Sequence, residues 1–280
     1  MAAIQKAKSA RTKELKRLSI AETVDRYELY EAAVQNVEEQ CSFIDYTFTK
    51  INGRKARGFR EDFCGTASAS CEWVRLGPKR FAIGVDLDQA VLDWGREHRL
   101  SKLTRKQRRR VSLIHDDVMQ AKASPVDAVG AFNFSYWIFD TRAELRRYFE
   151  AVYENLKPDG MFFLDAFGGY DAFRALKEKM KFEDFTYIWD QARYSPVTGR
   201  METHIHFKFP DGSMMKKAFS YSWRLWTLPE IREILDEAGF RNSTVYFEYR
   251  DDDGEGLGEW YAESKGEADS AWVANITAEK

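Results

Sequence analysis

A glycine and a series of carboxylates stand where the sequence predicts that strands end, and their chemistry suits a nucleotide ligand. Glu61 and Gly65 follow the first strand of the predicted domain, Asp86 the second and Asp117 the third. A glycine lets the backbone approach a ligand closely, and Asp86 follows it by roughly 20 residues, a spacing typical of an acid that accepts hydrogen bonds from ribose hydroxyls. These residues predict a site for an adenosine-containing cofactor.

The elements that position these residues alternate between strand and helix. The predicted strands read GFREDF, RFAIGVD, RVSLIHDD, VDAVGAFNF and GMFFLDAF, and the predicted helices among them read SASCEWVRLG, QAVLDWGREHRLS and RAELRRYFEAVYENL. This order is typical of βαβ units with right-handed crossovers and a parallel sheet. In an open sheet of this kind, a ligand binds beyond the carboxyl ends of the strands, where the carboxylates stand.

The second half of the chain changes its pattern. Residues 182–226 alternate apolar and polar side chains around a Pro-Asp-Gly-Ser turn, which predicts a small antiparallel β insertion over the active site. A helix follows, with Thr227 as its N-cap and Gly239 as its C-cap. Residues 243–249 and 270–280 are predicted to form an antiparallel hairpin whose strands are separated by an acidic, glycine-rich loop.

The N-terminal region divides into a tail and a pair of helices. Residues 1–19 are rich in Lys and Arg and poor in bulky apolar side chains, which predicts a basic tail. Residues 20–57 place apolar side chains at helical spacing, which predicts cap helices ahead of the first strand. The main domain is therefore predicted to span residues 20–280.

Composition argues against several classes of protein. The chain has 280 residues, 44% of them hydrophobic, and a net charge of −2. No apolar run approaches the roughly 20 residues of a membrane span, and the first residues lack the apolar centre of a signal peptide, so we expect no membrane association and a cytoplasmic location. The 3 cysteines lack metal-ligand spacing and suit a reducing compartment. The small net charge argues against nucleic acid as a partner and favours a small molecule.

The motifs resemble those of class I S-adenosylmethionine-dependent methyltransferases. The resemblance rests on the order Glu-x-x-Cys-Gly-Thr-Ala, Gly-Val-Asp, Asp-Asp-Val and the turn LKPDG, and it covers about residues 20–280. Such enzymes usually read D/E-x-G-x-G-x-G at the first motif. Glu61 matches the acid, whereas Phe63 and Ala67 replace the first and third glycines. The departure leaves the shape of the loop open and requires Phe63 to point away from the methionine moiety.

The resemblance implies a fold and a cofactor. The fold is α/β: a Rossmann-like, mostly parallel seven-stranded sheet with an antiparallel last strand, helices on both faces and the small antiparallel β insertion. The cofactor is S-adenosyl-L-methionine, with S-adenosyl-L-homocysteine as the product. The residues expected to bind it are Tyr30, Gln35, Arg60, Glu61, Cys64, Gly65, Thr66, Asp86, Leu87, Asp117, Val118, Asn133 and Phe134.

Within this set the resemblance implies individual roles. Glu61 is expected to receive the cofactor ammonium, and Asp86 the ribose hydroxyls. Asp117 and the Val118 N–H are expected to hold the adenine, and Asn133 to lie near the methionine backbone.

Other members of the set keep two interpretations. Arg60 either pairs with Asp62 inside the protein or contacts the cofactor carboxylate. Tyr30 and Gln35 either close over the cofactor or belong to ordinary faces of an amphipathic helix.

The acceptor side is predicted from the ends of the fourth and fifth strands. Methyl transfer from a sulfonium is an in-line displacement, so the protein has to align the acceptor and accept a proton. Asp165 and Tyr136 are the predicted catalytic residues. The residues predicted to bind the substrate are Trp137, Phe167, His206 and Arg224. His206 shares a strand face with His204, but no third ligand stands nearby in sequence, so no metal is predicted.

The predicted function is methyl transfer to a small-molecule acceptor, and several alternatives stay open. Residues 96–110 are strongly basic and favour an RNA acceptor, although such a run is usually a solvated face. A protein methyltransferase and a non-catalytic cofactor-binding protein of the same fold are further alternatives. A nicotinamide dehydrogenase fits less well, because the first loop has no G-x-G-x-x-G. Arg224 holds either a substrate carboxylate or a surface acid, and the sequence does not distinguish a monomer from a homodimer.

Overall fold

The computed structural model describes residues 18–251 and 256–280. The predicted basic tail therefore lies outside the described residues, apart from Leu18 and Ser19. The α-helices are α1 (Ile20–Thr23), α2 (Arg26–Val34), α3 (Val37–Asn52), α4 (Ser68–Arg75), α5 (Gln89–His98), α6 (Arg105–Arg108), α7 (Arg142–Glu154) and α8 (Leu228–Glu237). The strands are β1 (Gly58–Asp62), β2 (Phe81–Asp86), β3 (Val111–His115), β4 (Val126–Ala131), β5 (Leu156–Gly168), β6 (Leu176–Lys181), β7 (Thr186–Tyr194), β8 (Arg200–Lys208), β9 (Met214–Arg224), β10 (Arg241–Arg250), β11 (Gly256–Glu263) and β12 (Trp272–Glu279).

The main sheet has the order β11-β10-β12-β5-β4-β1-β2-β3. Strands β1 to β5 pair in parallel, β12 is antiparallel to β5, and β10 and β11 continue the antiparallel pairing. This arrangement confirms the predicted α/β fold with its mostly parallel sheet and antiparallel last strand. The chain order reverses between β1 and β4, which makes the space beyond their carboxyl ends the expected ligand site of an open α/β sheet.

The main sheet has one strand more than predicted. It contains 8 strands rather than seven, and the added strand, β11, forms inside the stretch predicted to be a loop. Gly256 and Gly258 are typical of loops, but antiparallel pairing with β10 and a ring contact of 4.5 Å between Tyr249 and Tyr261 stabilise an edge strand here.

A second sheet of 4 antiparallel strands follows, in the order β6-β7-β8-β9. The Pro-Asp-Gly-Ser turn joins β8 to β9, where the Phe209 N–H donates to the Ser213 carbonyl at 3.0 Å and Gly212 has a φ of 82°. The sheet begins at Leu176, before the predicted start at residue 182. Strand β6 was missed because it is an edge strand with three lysines, and such strands carry little apolar alternation.

The N-terminal helices contact both sheets. Leu29 of α2 is buried against Ile205 and Phe207 of the second sheet. The ring of Phe43 on α3 lies 6.0 Å from the ring of Phe163 on β5. Helix α2 is thereby held over the edge of the main sheet at which the predicted site lies.

No helix in residues 18–251 and 256–280 combines the length and the apolar character needed to cross a membrane.

Candidate cofactor and acceptor site

The loop after β1 adopts a left-handed backbone at alternate residues. Phe63, Gly65 and Ala67 have φ values of 56°, 52° and 60°, and these are the three glycine positions of the motif that the sequence resembles. A residue other than glycine loses about 1–2 kcal/mol in this conformation, and such strain is concentrated at functional sites. The Phe63 ring packs 5.6 Å from the Tyr148 ring, while a Cβ on Gly65 would meet no atom within 4 Å. The loop thus has a left-handed backbone at all three positions, although only Gly65 is a glycine.

Glu61 points from β1 toward the start of α4. Its Oε2 accepts hydrogen bonds from the Ser70 N–H at 2.8 Å and from the Ser70 hydroxyl at 2.6 Å. Burial raises the pKa of the Glu61 carboxyl to about 7, although both bonds to Ser70 lower it. A carboxyl in this state becomes fully ionised when a cation binds beside it.

Asp86 ties the end of β2 to the glycine loop. Its Oδ2 accepts a hydrogen bond from the Gly65 N–H at 2.7 Å, and its Oδ1 accepts one from the Asp88 N–H at 2.9 Å. Burial raises the pKa of Asp86, and the backbone hydrogen bonds oppose that rise. Leu87 beside it is 64% exposed. The end of β2 therefore offers a carboxylate and an apolar side chain next to Gly65.

Glu31 joins helix α2 to the same loop. Its Oε1 accepts hydrogen bonds from the hydroxyls of Thr66 and Ser68, each at 2.5 Å, and its Oε2 accepts one from Arg99 Nε at 2.6 Å. The predicted cofactor residue Thr66 thus uses its hydroxyl within the protein. Glu31 was missed by sequence reasoning, because nothing in one amphipathic helix marks the acid that reaches a loop 35 residues away.

Two predicted lid residues lie at the end of the same helix. Gln35 has a buried side-chain oxygen, Oε1, that finds no hydrogen-bond partner within residues 18–251 and 256–280. Tyr30 is partly buried, and desolvation raises the pKa of its hydroxyl well above the ordinary value. A buried polar atom without a partner is costly, so a ligand that supplied a donor to Gln35 would be stabilised.

Asp165 fixes the loop that follows β4. Its Oδ2 accepts the Asn133 N–H at 2.7 Å and its Oδ1 accepts the Phe134 N–H at 2.8 Å, and both of these loop residues have a left-handed φ of 57°. Burial raises the pKa of Asp165 to about 7. Because both oxygens accept backbone N–H groups, Asp165 positions the loop after β4. Tyr136 is fully buried, and its hydroxyl donates to the Asp165 carbonyl at 2.7 Å. The catalytic roles of Asp165 and Tyr136 stay predictions.

A cavity of about 310 Å³ opens beside the loop after β4. It is enclosed by α2, the ends of β4 and β5, one face of the second sheet and the start of β12. The rings in its walls include Tyr30, Phe134, Phe167, Trp189, Tyr221 and Trp223. A cavity of this size and apolar character suits a small molecule. The rings from the second sheet were not predicted, because strand alternation separates two faces without telling which face meets the site.

Among the comparisons with known proteins, the comparison with solved structures gives matches. Neither protein-family models nor curated protein sequences match the chain. Among solved structures, a S-adenosylmethionine-dependent methyltransferase from Clostridium acetobutylicum is similar with a TM-score of 0.66 and 16% identity, over 90% of this chain and 96% of that chain. The chain has the fold of S-adenosylmethionine-dependent methyltransferases. DesVI from Streptomyces venezuelae is similar with a TM-score of 0.62 and 17% identity, over 91% of this chain and 98% of that chain.

A further similar structure was solved with its cofactor. CalS10, an amino pentose methyltransferase from Micromonospora echinaspora with S-adenosylmethionine bound, matches with a TM-score of 0.60 and 18% identity. The match covers 93% of this chain and 98% of that chain. Nearly the whole chain, including the second sheet, therefore follows the methyltransferase fold.

Within the methyltransferase fold, most predicted cofactor residues stand at or just after the carboxyl ends of the parallel strands. These residues are Glu61, Gly65, Thr66, Asp86, Leu87, Asp117, Val118, Asn133 and Phe134. Asp117 uses its Oδ1 to accept the Met119 N–H at 2.8 Å. Cofactor contact by these residues stays a prediction. Cys64 is 1% exposed and its N–H donates to the Val85 carbonyl at 2.9 Å, and its contact with the cofactor likewise stays a prediction.

Arg60 forms a buried ion pair inside the protein, and its contact with the cofactor stays a prediction. Its Nε lies 2.6 Å from Asp62 Oδ1, and both residues are 1% exposed. The guanidinium also donates to the Val118 carbonyl at 2.6 Å and to the Ala121 carbonyl at 3.1 Å. Asp62 accepts a further hydrogen bond from the Tyr148 hydroxyl at 3.0 Å. Of the two interpretations of Arg60, internal pairing is the one that the structure shows.

Two predicted substrate residues face away from the cavity. Trp137 is fully buried, and its ring packs 4.7 Å from the ring of Phe167, which does line the cavity. His206 lies on the outer face of the second sheet, where its Nε2 is 3.1 Å from Asp190 Oδ2 and its Nδ1 accepts the Lys217 N–H at 2.9 Å. Neither side chain lines the cavity, and substrate binding by Trp137 and His206 stays a prediction.

Arg224 binds protein groups as well. Its guanidinium lies 3.1 Å from Glu230 Oε1 and 3.7 Å from the centre of the Trp226 ring, and it donates to the Asp140 carbonyl at 3.1 Å. The interpretation in which Arg224 holds a surface acid is the one that the structure shows, and its contact with a substrate stays a prediction.

Several arginines of the basic stretch at residues 96–110 also bind groups of the protein itself. Arg108 donates to the Leu100 carbonyl at 3.1 Å, and Arg110 donates to the Val74 carbonyl at 2.9 Å. Arg99 binds Glu31. These contacts give part of the stretch a structural role ahead of β3.

Proposed function

We propose that this protein is a S-adenosylmethionine-dependent methyltransferase that acts on a small-molecule acceptor. The observation that carries the proposal is the parallel pairing of β1 with β4. It brings the loop after β1, which contains Gly65, next to the loop after β4, whose Asn133 and Phe134 line the aromatic cavity. A cofactor held at the strand ends would direct its reactive end toward an acceptor in that cavity.

The residues at the strand ends fit the cofactor chemically. Gly65 leaves open space for a ligand, and Asp86 offers a carboxylate for ribose hydroxyls. The pKa of Glu61 near 7 suits a carboxyl that ionises beside the cofactor ammonium. The unpaired Oε1 of Gln35 would accept a hydrogen bond from the ligand. Leu87 would cover one face of the adenine.

When bound, the cofactor supplies an electrophilic methyl group on a sulfonium. The task of the chain is then to bind and orient both reactants and to exclude water, since no covalent enzyme intermediate is needed. Phe134 and Phe167 would form the wall between cofactor and acceptor. Asp165 would hold that wall in place through the backbone of the loop after β4.

A small acceptor is supported by the size and aromatic walls of the cavity and by the neighbours of the fold. One similar structure is named as a sugar N-methyltransferase, from Streptoalloteichus, and another as an amino pentose methyltransferase. An RNA acceptor would require an open basic groove leading to the cofactor edge. The arginines of residues 96–110 that bind protein groups argue against such a groove.

The proposal is tested by calorimetric titration with S-adenosylhomocysteine, followed by a screen for methyl transfer from labelled S-adenosylmethionine to a pool of small metabolites. We expect binding with a 1:1 stoichiometry and a labelled small product. Absence of binding would refute the cofactor, whereas binding with label appearing only in RNA or protein would refute the acceptor class.

A further inference from the structure

The second sheet separates charges between its two faces. Along β6, Leu176 and Glu178 line the aromatic cavity, whereas Lys177, Lys179 and Lys181 face the opposite side. Alternate residues of a strand point to opposite faces, so this division is built into the sequence of β6. The sheet therefore turns a carboxylate toward the cavity and its lysines away from it.

The charged side chains in the cavity wall are all acidic. Asp171 and Glu178 line the cavity, and within the described part of the chain no Lys, Arg or His does so. Asp171 is paired with Arg174 at 2.9 Å. Glu178 makes no ion pair or hydrogen bond with residues 18–251 or 256–280. It pairs in register with Trp189, a ring of the same wall.

The aromatic walls complement this carboxylate. Trp189 and Trp223 lie 6.2 Å apart between ring centres, and Tyr221 stacks on Trp223 at 4.4 Å. The faces of such rings attract cations, most strongly in a desolvated site. Rings and an unpaired carboxylate together favour a ligand that has a cationic group on an apolar or weakly polar body, and they disfavour an anion.

We propose that the acceptor is a small primary or secondary amine that enters the cavity as its ammonium ion and is methylated on nitrogen. This inference rests on the proposed function and names the substrate class of the same site. Alkyl ammonium groups are protonated at neutral pH, since their pKa is roughly 10. The rings and Glu178 therefore meet a cation when the acceptor arrives.

The chemistry balances without any further reactant. The ammonium loses its proton to solvent water, which reaches the cavity beside the exposed Glu178. The nitrogen lone pair then forms the N–C bond while the S–C bond breaks, and the electron pair of that bond goes to sulfur to give the thioether. The methylated nitrogen carries the positive charge that the sulfonium had, and the cation leaves past the same carboxylate.

The test uses the full-length protein saturated with S-adenosylhomocysteine. Tryptophan fluorescence follows the titration of three matched pairs: 2-phenylethylamine and 2-phenylethanol, cyclohexylamine and cyclohexanol, and glucosamine and glucose. We expect at least one amine to bind about tenfold more tightly than its alcohol, because only the ammonium gains from the rings and the carboxylate. Equal binding within every pair, or no binding of any amine, would overturn the inference.

Two variants sharpen the result. Glu178→Gln should weaken binding of the preferred amine by about fivefold, a modest loss because the carboxylate is partly screened by solvent, and should leave the alcohol unchanged. Glu183→Gln makes the same charge change on an exposed residue outside the cavity wall and should leave both affinities unchanged. An amine preference that survives Glu178→Gln at full strength would refute the role of Glu178. Failure of S-adenosylhomocysteine to bind at all would instead refute the proposed function itself.

Discussion

The carboxylate of Asp86 accepts a hydrogen bond of 2.7 Å from the backbone N–H of Gly65. The bond joins the end of β2 to the strained loop after β1, so the acid that is proposed to hold the ribose also helps to set the shape of the loop. The two functions of Asp86 are separable by substitution.

Replacement of Asp86 by alanine should weaken binding of S-adenosylhomocysteine by more than about tenfold, since charge-assisted hydrogen bonds contribute about 1.5–3 kcal/mol. Asp86→Asn keeps an acceptor for the Gly65 N–H and should lose less. Asp93→Ala removes an exposed acid from α5 and serves as the control. Calorimetry measures all three, and an unchanged affinity in Asp86→Ala would remove this residue from the cofactor site.

Glu61 predicts a pH-dependent affinity. In the free protein the pKa of Glu61 is about 7, and the cofactor ammonium should lower it in the complex by favouring the carboxylate. Binding then releases a proton below pH 7, so affinity should rise by up to about tenfold per pH unit toward neutrality and level off above it. Calorimetry at several pH values measures this slope. Glu61→Gln should abolish it, and a slope that persists in this variant would contradict the assignment.

Gly95 allows α5 to pack closely against the loop after β1. A Cβ at Gly95 would lie 2.5 Å from the Thr66 carbonyl oxygen, whereas a Cβ at Gly77 meets nothing closer than 3.7 Å. Helix propensity favours alanine over glycine by about 1 kcal/mol, but overpacking against backbone costs about 1–3 kcal/mol. We therefore expect Gly95→Ala to shift the loop and weaken S-adenosylhomocysteine binding by about tenfold or more. Gly77→Ala, the matched control, should bind normally, and normal binding by both variants would show that the loop tolerates the shift.

The buried pair of Arg60 and Asp62 predicts a stability effect without a binding effect. Removal of one partner from a buried ion pair destabilises a protein by about 3–5 kcal/mol, because the other charge is left uncompensated. Arg60→Met should lower the free energy of unfolding by about that amount in urea denaturation. The double variant Arg60→Met with Asp62→Leu should recover most of the loss and bind S-adenosylhomocysteine normally. Weak binding of S-adenosylhomocysteine by a stable double variant would indicate that Arg60 contacts the cofactor.

The sequence predicted the elements whose burial leaves a strong periodic signal. Strands such as β2 and β4 are mostly apolar, and helix α8 carries a threonine N-cap that donates and accepts in a capping box with Glu230. Strands β6 and β11 were missed because each pairs with a single neighbour and tolerates lysine or glycine. Each pairs with its neighbour in sequence, β6 with β7 and β11 with β10, but lysine- or glycine-containing edge segments lack the apolar alternation that marks a strand.

The residues of the candidate site whose positions follow from strand order alone could be predicted from the sequence. Glu61 and Asp86 stand at the ends of buried parallel strands, so strand order brings them together. Tyr136 follows a strand end too, but the left-handed Asn133 and Phe134 turn the chain and carry its ring into the core. Glu31 reaches the loop only through tertiary packing of α2, so neither its role nor the inward direction of Tyr136 was predictable from spacing.

A crystal structure grown with S-adenosylhomocysteine tests the central claim most directly. We predict ribose hydroxyls on the Asp86 carboxylate, the amino group near Glu61, and the sulfur directed toward the cavity beside Phe134. Electron density for the thioether elsewhere on the protein, or strand ends left without ligand at saturating concentration, would contradict the account.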